Sequence, residues 1–242
     1  MKERIDKIIA SQGKYSRTEV KKLIKNGSVK LNGAVVHSPE EKADAENDVI
    51  SLNGEAICFR RFLYIMMNKP QGVISATSDR TQRTVLDLLP DEMRRDGLFP
   101  AGRLDGDTTG FVLITDDGET AHKMLSPKSH VSKVYLARLA YPLSSETADI
   151  FKTGVILSDG SVCMSAVLTL LEDGETPLVK VILKQGMYHQ IKRMFASCGN
   201  RVIALKRIQI GGVTLDSKLK EGECRLLTAD EIKKLTQMEE QK

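Results

Sequence analysis

The sequence predicts an α+β protein, with a small N-terminal α/β domain and a larger domain built on a mostly antiparallel sheet with flanking helices. Predicted strands outnumber predicted helices, most strands follow one another at hairpin spacing, and two short amphipathic helices open the chain. At 242 residues the chain can bury a core for both domains, which we place at residues 1–58 and 62–236.

The N-terminal domain is predicted from helix and turn signals. Apolar spacing over residues 5–9 indicates a first helix. A second helix begins at a capping box formed by Ser16 and Glu19 and ends at an Asn-Gly pair. Short strands flank Asn32-Gly33, a dipeptide typical of two-residue hairpin turns.

The larger domain alternates apolar strands with helices. Helices are predicted near residues 84–89, 119–125 and 188–198, and a closing helix starts at the capping box of Thr228 and Glu231. Strands are predicted over residues 62–67, 111–114, 131–139, 162–171 and 178–183. Their spacing favours an antiparallel sheet.

Composition is that of an ordinary globular chain. Apolar residues make up 41% and charged residues 28%, and no apolar run reaches the length of a membrane span. The four cysteines are far apart and form no C-x-x-C pair, so we predict no zinc site and free thiols in a reducing compartment. Because the N-terminus lacks the apolar stretch of a signal peptide, we predict a cytoplasmic location.

Positive charge is concentrated near the N-terminus. The formal net charge is +4, whereas residues 1–33 alone hold nine lysines and arginines against three acidic residues. A local basic surface on an otherwise balanced protein indicates a polyanionic partner. The alternative is a solvated basic face on an ordinary small domain.

This basic segment resembles the S4 RNA-binding domain over about residues 2–55. The motifs R-[IL]-D-K, G-x-x-S-R-x-[EK]-[AV] and [LI]-I-x-x-G-x-V-x-[LV]-N-G occur in that order from Arg4 to Gly33. The resemblance implies basic side chains that contact RNA phosphates and contribute affinity rather than sequence selectivity. The implied contacts are Arg4, Arg17, Lys21, Lys22 and Lys25.

The most informative stretch is 102–118, which reads GRLDGDTTGFVLITDDG. Asp105 lies there in a turn rich in glycine and threonine, after Arg103 and ahead of the apolar run 111–114. A polar turn that leads into an apolar strand can hold one carboxylate rigidly at the edge of a cleft. For these few residues alone, a purely structural Asp-Gly turn is the default interpretation, and a role for Asp105 depends on the rest of the chain.

Two metal-dependent motifs also fit part of this stretch. The acidic spacing follows a calcium loop, but Asp116 stands where a bidentate glutamate is needed and a strand-like run fills the second half. The D-x-D-x-T spacing from Asp105 fits the haloacid-dehalogenase phosphatases, which need an apolar strand immediately before the motif. Pro100 and Gly102 are expected to break such a strand, which disfavours that interpretation.

The stretch 102–118 closely resembles the signature of the RsuA-type RNA pseudouridine synthases, G-R-L-D-x-x-T-x-G followed by a strand and N/D-D-G. Further family motifs follow the family order: N-K-P-x-G at 68–72, K-x-Y at 133–135, G-x-x-H-Q-[VI]-[KR]-R-M-F at 186–195 and L-x-R-x-x-I-G at 205–211. The resemblance spans nearly the whole chain. It implies the isomerisation of uridine in RNA on a pseudouridine-synthase catalytic domain.

This reaction breaks the uridine N1–C1′ bond, turns the base and rejoins it through C5. It needs a nucleophile that can leave again, which suits a carboxylate, and it needs no metal, redox cofactor or ATP. The resemblance assigns Asp105 as the nucleophile, Tyr135 as the ring that packs on the flipped base, and Lys192 as the cation paired with the carboxylate. Attack at C6 of the base and attack at C1′ of the sugar both stay open, as does the group that moves the C5 proton.

The resemblance also implies substrate-binding roles. Arg103 reaches toward RNA and helps to occupy the space left by the flipped base, and Leu205 gives the cleft an apolar wall. Lys69 is assigned to the RNA backbone, with a lysine in a Pro-Gly turn that serves only the fold as the alternative. His189 and Asp107 are assigned no role.

Details of the motifs resemble small-subunit rRNA enzymes more than their large-subunit relatives. These details are D-T-T-G with T-D-D-G, M-x-S-P-K/R-x-H at 124–130, and Y-H-Q-I-K-R-M. The resemblance implies uridine 516 of 16S rRNA as the target, in free RNA or in a small-subunit assembly particle, with no membrane partner. A uridine of large-subunit (23S) rRNA and a non-catalytic rRNA-binding protein are the alternatives.

Overall fold

The computed structural model describes residues 2–45, 47–126, 129 and 131–235. The chain divides into two compact units, Met1–Leu63 with Leu89–Leu98, and Tyr64–Leu88 with Phe99–Lys242. Leu89–Leu98, which we placed in the second domain from the sequence, thus groups with the N-terminal unit. The domain bounds 1–58 and 62–236 stay predictions, and residue 236 lies outside the described residues.

The N-terminal unit combines helices with short strands. Its elements are β1 (Glu3–Arg4), α1 (Ile5–Ala10), α2 (Arg17–Lys25), β2 (Val29–Leu31), β3 (Ala34–Val35), β4 (Lys42–Ala43), β5 (Ile50–Leu52) and β6 (Glu55–Ala56). Strand β1 pairs with β4, and β3-β2-β5-β6 form an antiparallel sheet. The predicted capping box is confirmed, because the Ser16 hydroxyl accepts from the Glu19 amide and the Glu19 carboxylate accepts from the Ser16 amide at 2.7 Å.

The core of this unit lies between the helices and the sheet. Ile5, Ile8 and Ile9 of α1 are buried together with Val20 and Ile24 of α2. The apolar spacing predicted over residues 5–9 is therefore confirmed as the buried face of α1. The opposite face of α2 is therefore left to its polar side chains.

The second unit holds the larger sheet. Its elements are β7 (Tyr64–Lys69), β8 (Phe99–Ala101), β9 (Thr109–Thr115), α3 (Gly118–Leu125), β10 (Lys133–Leu139), α4 (Thr147–Thr153), β11 (Val167–Glu172), β12 (Leu178–Leu183), α5 (Gln190–Ser197), β13 (Val202–Ile210), β14 (Val213–Thr214), β15 (Cys224–Leu226) and α6 (Ala229–Lys234). None of the helices in the described residues is both long and apolar enough to cross a membrane.

The strands of the second unit follow the order β11-β12-β10-β13-β9-β7-β15, with β14 beside β13 and β8 beside β9. Within the described residues the pairings are antiparallel apart from β9 with β13, which run parallel. The predicted, mostly antiparallel sheet is confirmed. The parallel pairing places the strand that follows Asp105 beside the strand that carries Leu205 and Arg207.

Apolar clusters cover the sheet and orient α5. One cluster joins α4 and α5 to β10 and β12, with the rings of Phe151 and Phe195 4.9 Å apart and Met194 fully buried. Met194 and Phe195 therefore face the core. Lys192, on another face of the same helix, is therefore free to face away from this cluster.

The structure corrects several local predictions. Strand β8 includes Pro100 shortly before the Asp105 loop, where we expected no strand; proline is tolerated because β8 pairs with β9 at a sheet edge. A strand therefore does precede the D-x-D-x-T spacing that begins at Asp105. The helix predicted over 84–89 is a single 3-10 turn at Leu86–Leu88, since Pro90 follows too soon for a longer helix.

Candidate active site

A cavity of about 760 Å³ lies in the second unit. The loop between β8 and β9, strands β10 and β13, and the start of α5 contribute to its walls. Five residues singled out from the sequence line it: Arg103, Asp105, Tyr135, Lys192 and Leu205. The fold thus brings together motifs that are far apart in the chain.

Hydrogen bonds on both sides of Asp105 hold its loop in place. The Ser75 hydroxyl donates to the carbonyl oxygen of Leu104 and accepts from the Leu104 amide, each at 3.0 Å. On the other side, the Gly72 amide donates to the carbonyl oxygen of Gly106 at 2.8 Å. The carboxylate is therefore presented by a fixed turn, as the motif predicted.

Close backbone packing fixes the point where this loop enters β9. Gly110 has a φ of +99°, and a Cβ atom at this position would lie 2.2 Å from the carbonyl oxygen of Arg207. Only glycine fits such a contact. Strand β9 can therefore lie directly against β13.

Asp105 is paired with Lys192 of α5. The Lys192 Nζ lies 3.0 Å from Asp105 Oδ2 and 2.6 Å from Asp107 Oδ1. Burial opposes the charged ammonium, but hydrogen bonds with Asp107 and Asp105 outweigh it and raise the pKa of Lys192 above its ordinary value. The bond from Lys192 in turn holds the pKa of the Asp107 carboxyl below its usual range. Lys192 is therefore a cation shared by two carboxylates.

His189 also contacts Asp105. Its Nε2 lies 3.4 Å from Asp105 Oδ1, and its backbone is left-handed, with a φ of +48°. Tyr188 stacks on the imidazole with ring centroids 3.8 Å apart and is 75% exposed. The helix predicted near residues 188–198 begins only at Gln190, because His189 is left-handed, and Tyr188 therefore lies outside α5.

Tyr135 is held in the cavity wall by Arg207. The two residues are paired across β10 and β13, with the guanidinium carbon 5.9 Å from the ring centroid and Nη1 3.5 Å from the hydroxyl. Arg207 is 2% exposed and also donates to the carbonyl oxygens of Gly102 at 2.6 Å and Phe111 at 2.7 Å. One buried guanidinium therefore positions both the tyrosine and the start of the Asp105 loop.

Two family models match the chain. The model described as RNA pseudouridylate synthase matches residues 63–197, more than half of the chain, and the model described as S4 domain matches residues 3–50. The chain belongs to the RNA pseudouridylate synthase family. This match, rather than a missing strand, decides against the phosphatase and calcium-loop interpretations.

Relatives of this synthase match it over nearly its whole length. "Uncharacterized RNA pseudouridine synthase YtzG" of Bacillus subtilis (strain 168) is 43% identical over 231 residues, 95% of this chain and 96% of that protein. "Ribosomal small subunit pseudouridine synthase A" of Escherichia coli (strain K12) is 41% identical over 231 residues, 95% of this chain and 98% of that protein. A solved structure described as "Crystal structure of pseudouridylate synthase" has a TM-score of 0.67 at 39% identity, and covers 96% of this chain and 99% of its own.

Lys69 is not placed to touch RNA in this synthase, contrary to our prediction. Its side chain is 0% exposed, and its Nζ donates to the carbonyl oxygens of Pro70 at 3.0 Å, Gly106 at 3.3 Å and Thr108 at 2.8 Å. Burial lowers the pKa of Lys69 to about 8. The ammonium therefore holds the Asp105 loop from inside the protein.

We expect Lys69→Met to destabilise the synthase by about 2–4 kcal/mol, because it removes a charged donor from three carbonyl oxygens. Thermal or denaturant unfolding measures this loss. Lys123→Met is the matched control, because Lys123 is exposed and its surface pair with Glu119 contributes little to stability. Equal stabilities of the two variants would contradict the role that we give Lys69.

Sequence reasoning left out two side chains that contact the pair of Asp105 and Lys192. Asp107 was set aside although it stands only two residues after Asp105, in the same turn. His189 stands three residues before Lys192, close enough to reach the same carboxylate from the N-terminus of α5. Both spacings are visible in the motifs, but the direction in which each side chain points is not.

The basic residues predicted to contact RNA fall into two groups. Four are exposed on α2 and, among the described residues, form no ion pair: Arg17, Lys21, Lys22 and Lys25. Arg4 instead donates to Asp6 at 3.0 Å and to Glu40 at 3.1 Å, and Asp6 is buried. Arg4 therefore has partners within its own unit, whereas the cations of α2 remain available to a ligand.

Proposed function

We propose that this synthase converts one uridine of small-subunit (16S) rRNA to pseudouridine, with uridine 516 as the target. The observation that carries the proposal is the pair of Asp105 and Lys192, 3.0 Å apart in a cavity that Tyr135 also lines. Small-subunit rRNA as the substrate is supported by two relatives, 41% and 43% identical to this chain, that are named ribosomal small subunit pseudouridine synthase A.

In this proposal Asp105 supplies the nucleophile. Its carboxylate attacks C6 of the base or C1′ of the sugar, the N1–C1′ bond breaks, the base turns, and C5 bonds to C1′. One proton leaves C5, one is taken up at N1, and the carboxylate is released unchanged. Because nothing is oxidised and no phosphoryl group moves, we expect the reaction to proceed in the presence of EDTA.

Lys192 stays in place through the covalent step because it has a second partner. Once Asp105 is bound to the substrate it carries no charge, and a part-buried ammonium without a partner would be unfavourable. Asp107, whose Oδ1 lies 2.6 Å from Nζ, retains Lys192 at that stage. We therefore assign Asp107 the role of positioning Lys192.

The cavity wall suits a flipped uridine. Tyr135 offers an aromatic ring for the base, and the buried Leu205 forms an apolar wall of the same cavity. Arg103 is exposed and lines the cavity, so its guanidinium is available to fill the gap that the flipped base leaves in the RNA. These roles agree with the motif resemblance.

In this proposal the N-terminal unit binds the RNA backbone. Arg17, Lys21 and Lys25 are spaced by four residues and form one exposed stripe along α2, with Lys22 beside it. Such a stripe contacts phosphates without reading bases. The residues 1–58 thus bind rRNA, and the residues 62–236 carry out the reaction.

We expect Arg17→Ala with Lys21→Ala to weaken RNA binding about tenfold and to reduce the slope of log K against log salt by about 1.5. For each basic side chain that is removed, about one counterion fewer is released from the RNA when the protein binds. Binding titrations at several salt concentrations measure both effects. Lys152→Ala with Lys218→Ala removes the same charge from exposed positions of the second unit; equal losses in the two double variants would contradict the assignment.

Product mapping tests the proposed function. The protein is incubated with unmodified 16S and 23S rRNA, free or in partly assembled particles, and pseudouridines are mapped. The proposal predicts a single new pseudouridine at uridine 516. A product in 23S rRNA alone would show that the enzyme carries out the same reaction on large-subunit rRNA. RNA binding without any product would favour the non-catalytic alternative.

A further inference from the structure

Lys133 lies in the wall of the catalytic cavity. It opens β10 and stands two residues before Tyr135, so both side chains project from the same face of the sheet, and both line the cavity. Lys133 is only 6% exposed. Its cross-strand neighbour on β12 is the buried Leu183, which also lines the cavity.

The Lys133 ammonium has no hydrogen bond or ion pair with the described part of the chain. Burial lowers the pKa of Lys133 to about 8, and repulsion from the positive charge of Arg207 contributes to this shift to a smaller extent. The ammonium form therefore still predominates at neutral pH. A buried cation without a partner is unfavourable unless a ligand supplies the counter-charge.

The other two lysines around the Asp105 loop show the contrast. Lys69 is also buried but donates to three carbonyl oxygens, and Lys192 is shared by two carboxylates. Lys133 faces the same cavity without such partners among the described residues. Its donors are therefore left for a substrate.

The uracil ring acquires negative charge during the proposed reaction. Attack at C6 pushes electrons toward O4, and departure of the base from C1′ leaves charge shared between N1 and the carbonyl oxygens. A donor aimed at the oxygen where charge develops accelerates such a step. A side chain two positions from Tyr135 on one sheet face can meet the edge of a ring that packs on the tyrosine.

We propose that Lys133 donates a hydrogen bond to a carbonyl oxygen of the flipped uracil and stabilises the negative charge that develops on it. This role rests on the proposed function, since the charge appears only when the uracil ring reacts. A phosphate contact is the competing role. It is disfavoured because the side chain of Lys133 is nearly inaccessible from solvent.

The first test compares the stability and the rate of Lys133→Met. We expect a Tm at or above that of the wild type, because methionine removes an unpaired buried charge, and a single-turnover rate about a hundredfold lower. RNA affinity, measured in an Asp105→Asn background, changes less than about twofold. Arg138→Met is the control, because Arg138 lies on the opposite face of β10 and pairs with Glu172; we expect it to keep the wild-type rate.

A double-mutant-type cycle, which combines Lys133→Met with a modified uridine in the RNA, identifies the contacted atom. Target RNA with 2-thiouridine or 4-thiouridine replaces one carbonyl oxygen by sulfur, which accepts hydrogen bonds poorly. We expect one of these substrates to slow the wild type strongly and to slow Lys133→Met little further, which is the signature of a direct contact. A purely structural lysine would show independent effects with both substrates.

Several results would overturn this role. They are a wild-type rate for Lys133→Met, a lower Tm that accounts for the lost activity, independent effects of both thio substrates, or a loss of affinity with a smaller salt slope, which would indicate a phosphate contact. Wild-type enzyme that forms no pseudouridine would overturn the proposed function itself, and with it this role. Product formed by the wild type therefore separates the two failures.

Discussion

We expect Asp105→Asn to lower the rate of pseudouridine formation by about a thousandfold or more, and to change RNA affinity by less than about twofold. The carboxamide keeps the size of the side chain and can still accept from Lys192, which lies 3.0 Å away, but it is not a nucleophile. Single-turnover assays measure the rate, and titration with unmodified rRNA measures the affinity.

Asp107→Asn is the matched control for this experiment. It makes the same chemical change two residues away and removes the other partner of Lys192, at 2.6 Å, but leaves the proposed nucleophile intact. We expect a loss of only about tenfold, through poorer positioning of Lys192. The reverse order, with Asp107→Asn inactive and Asp105→Asn active, would make Asp107 the nucleophile.

We expect Lys192→Met to lower the single-turnover rate by about a hundredfold to a thousandfold, because the substitution removes the cation that Asp105 and Asp107 share. Lys192→Arg keeps the charge and is expected to recover part of the rate.

Arg193→Met controls for the helix that carries Lys192. Arg193 is the next residue of α5, and its ion pair is with Asp159 instead of Asp105. We expect it to keep activity within about twofold, since a surface pair contributes little. A wild-type rate for Lys192→Met, or equal losses in both variants, would contradict the assigned role of the lysine.

Features that depend on local chemistry were predictable from the sequence. The capping box at Ser16 and the hairpin at Asn32-Gly33 involve residues adjacent in the chain, and both form as expected. The pair of Asp105 and Lys192 was implied by the family motifs, and the structure places their side chains within hydrogen-bond distance.

Features that depend on distant packing were not predictable. Lys69 is buried because its Nζ donates to the carbonyl oxygens of Gly106 and Thr108, which are almost forty residues away in the sequence. The Asn-Lys-Pro sequence alone does not show that this lysine points inward. The contacts of Arg207 depend on the parallel pairing of β9 with β13, and periodicity along one strand says nothing about its neighbour. The late start of α5 depends on one left-handed residue, His189, which apolar spacing does not reveal.

Release of the C5 hydrogen reports whether Asp105 carries out pseudouridine formation on small-subunit rRNA. Small-subunit rRNA carrying tritium at uridine C5 is incubated with wild type or with Asp105→Asn, in the presence of EDTA. Because C5 becomes bonded to C1′, we expect the wild type to release one equivalent of tritium to water per rRNA and Asp105→Asn to release none. Equal release by both proteins would contradict the assignment of Asp105 as the nucleophile. Release from large-subunit rRNA alone would contradict the assignment of small-subunit rRNA as the substrate.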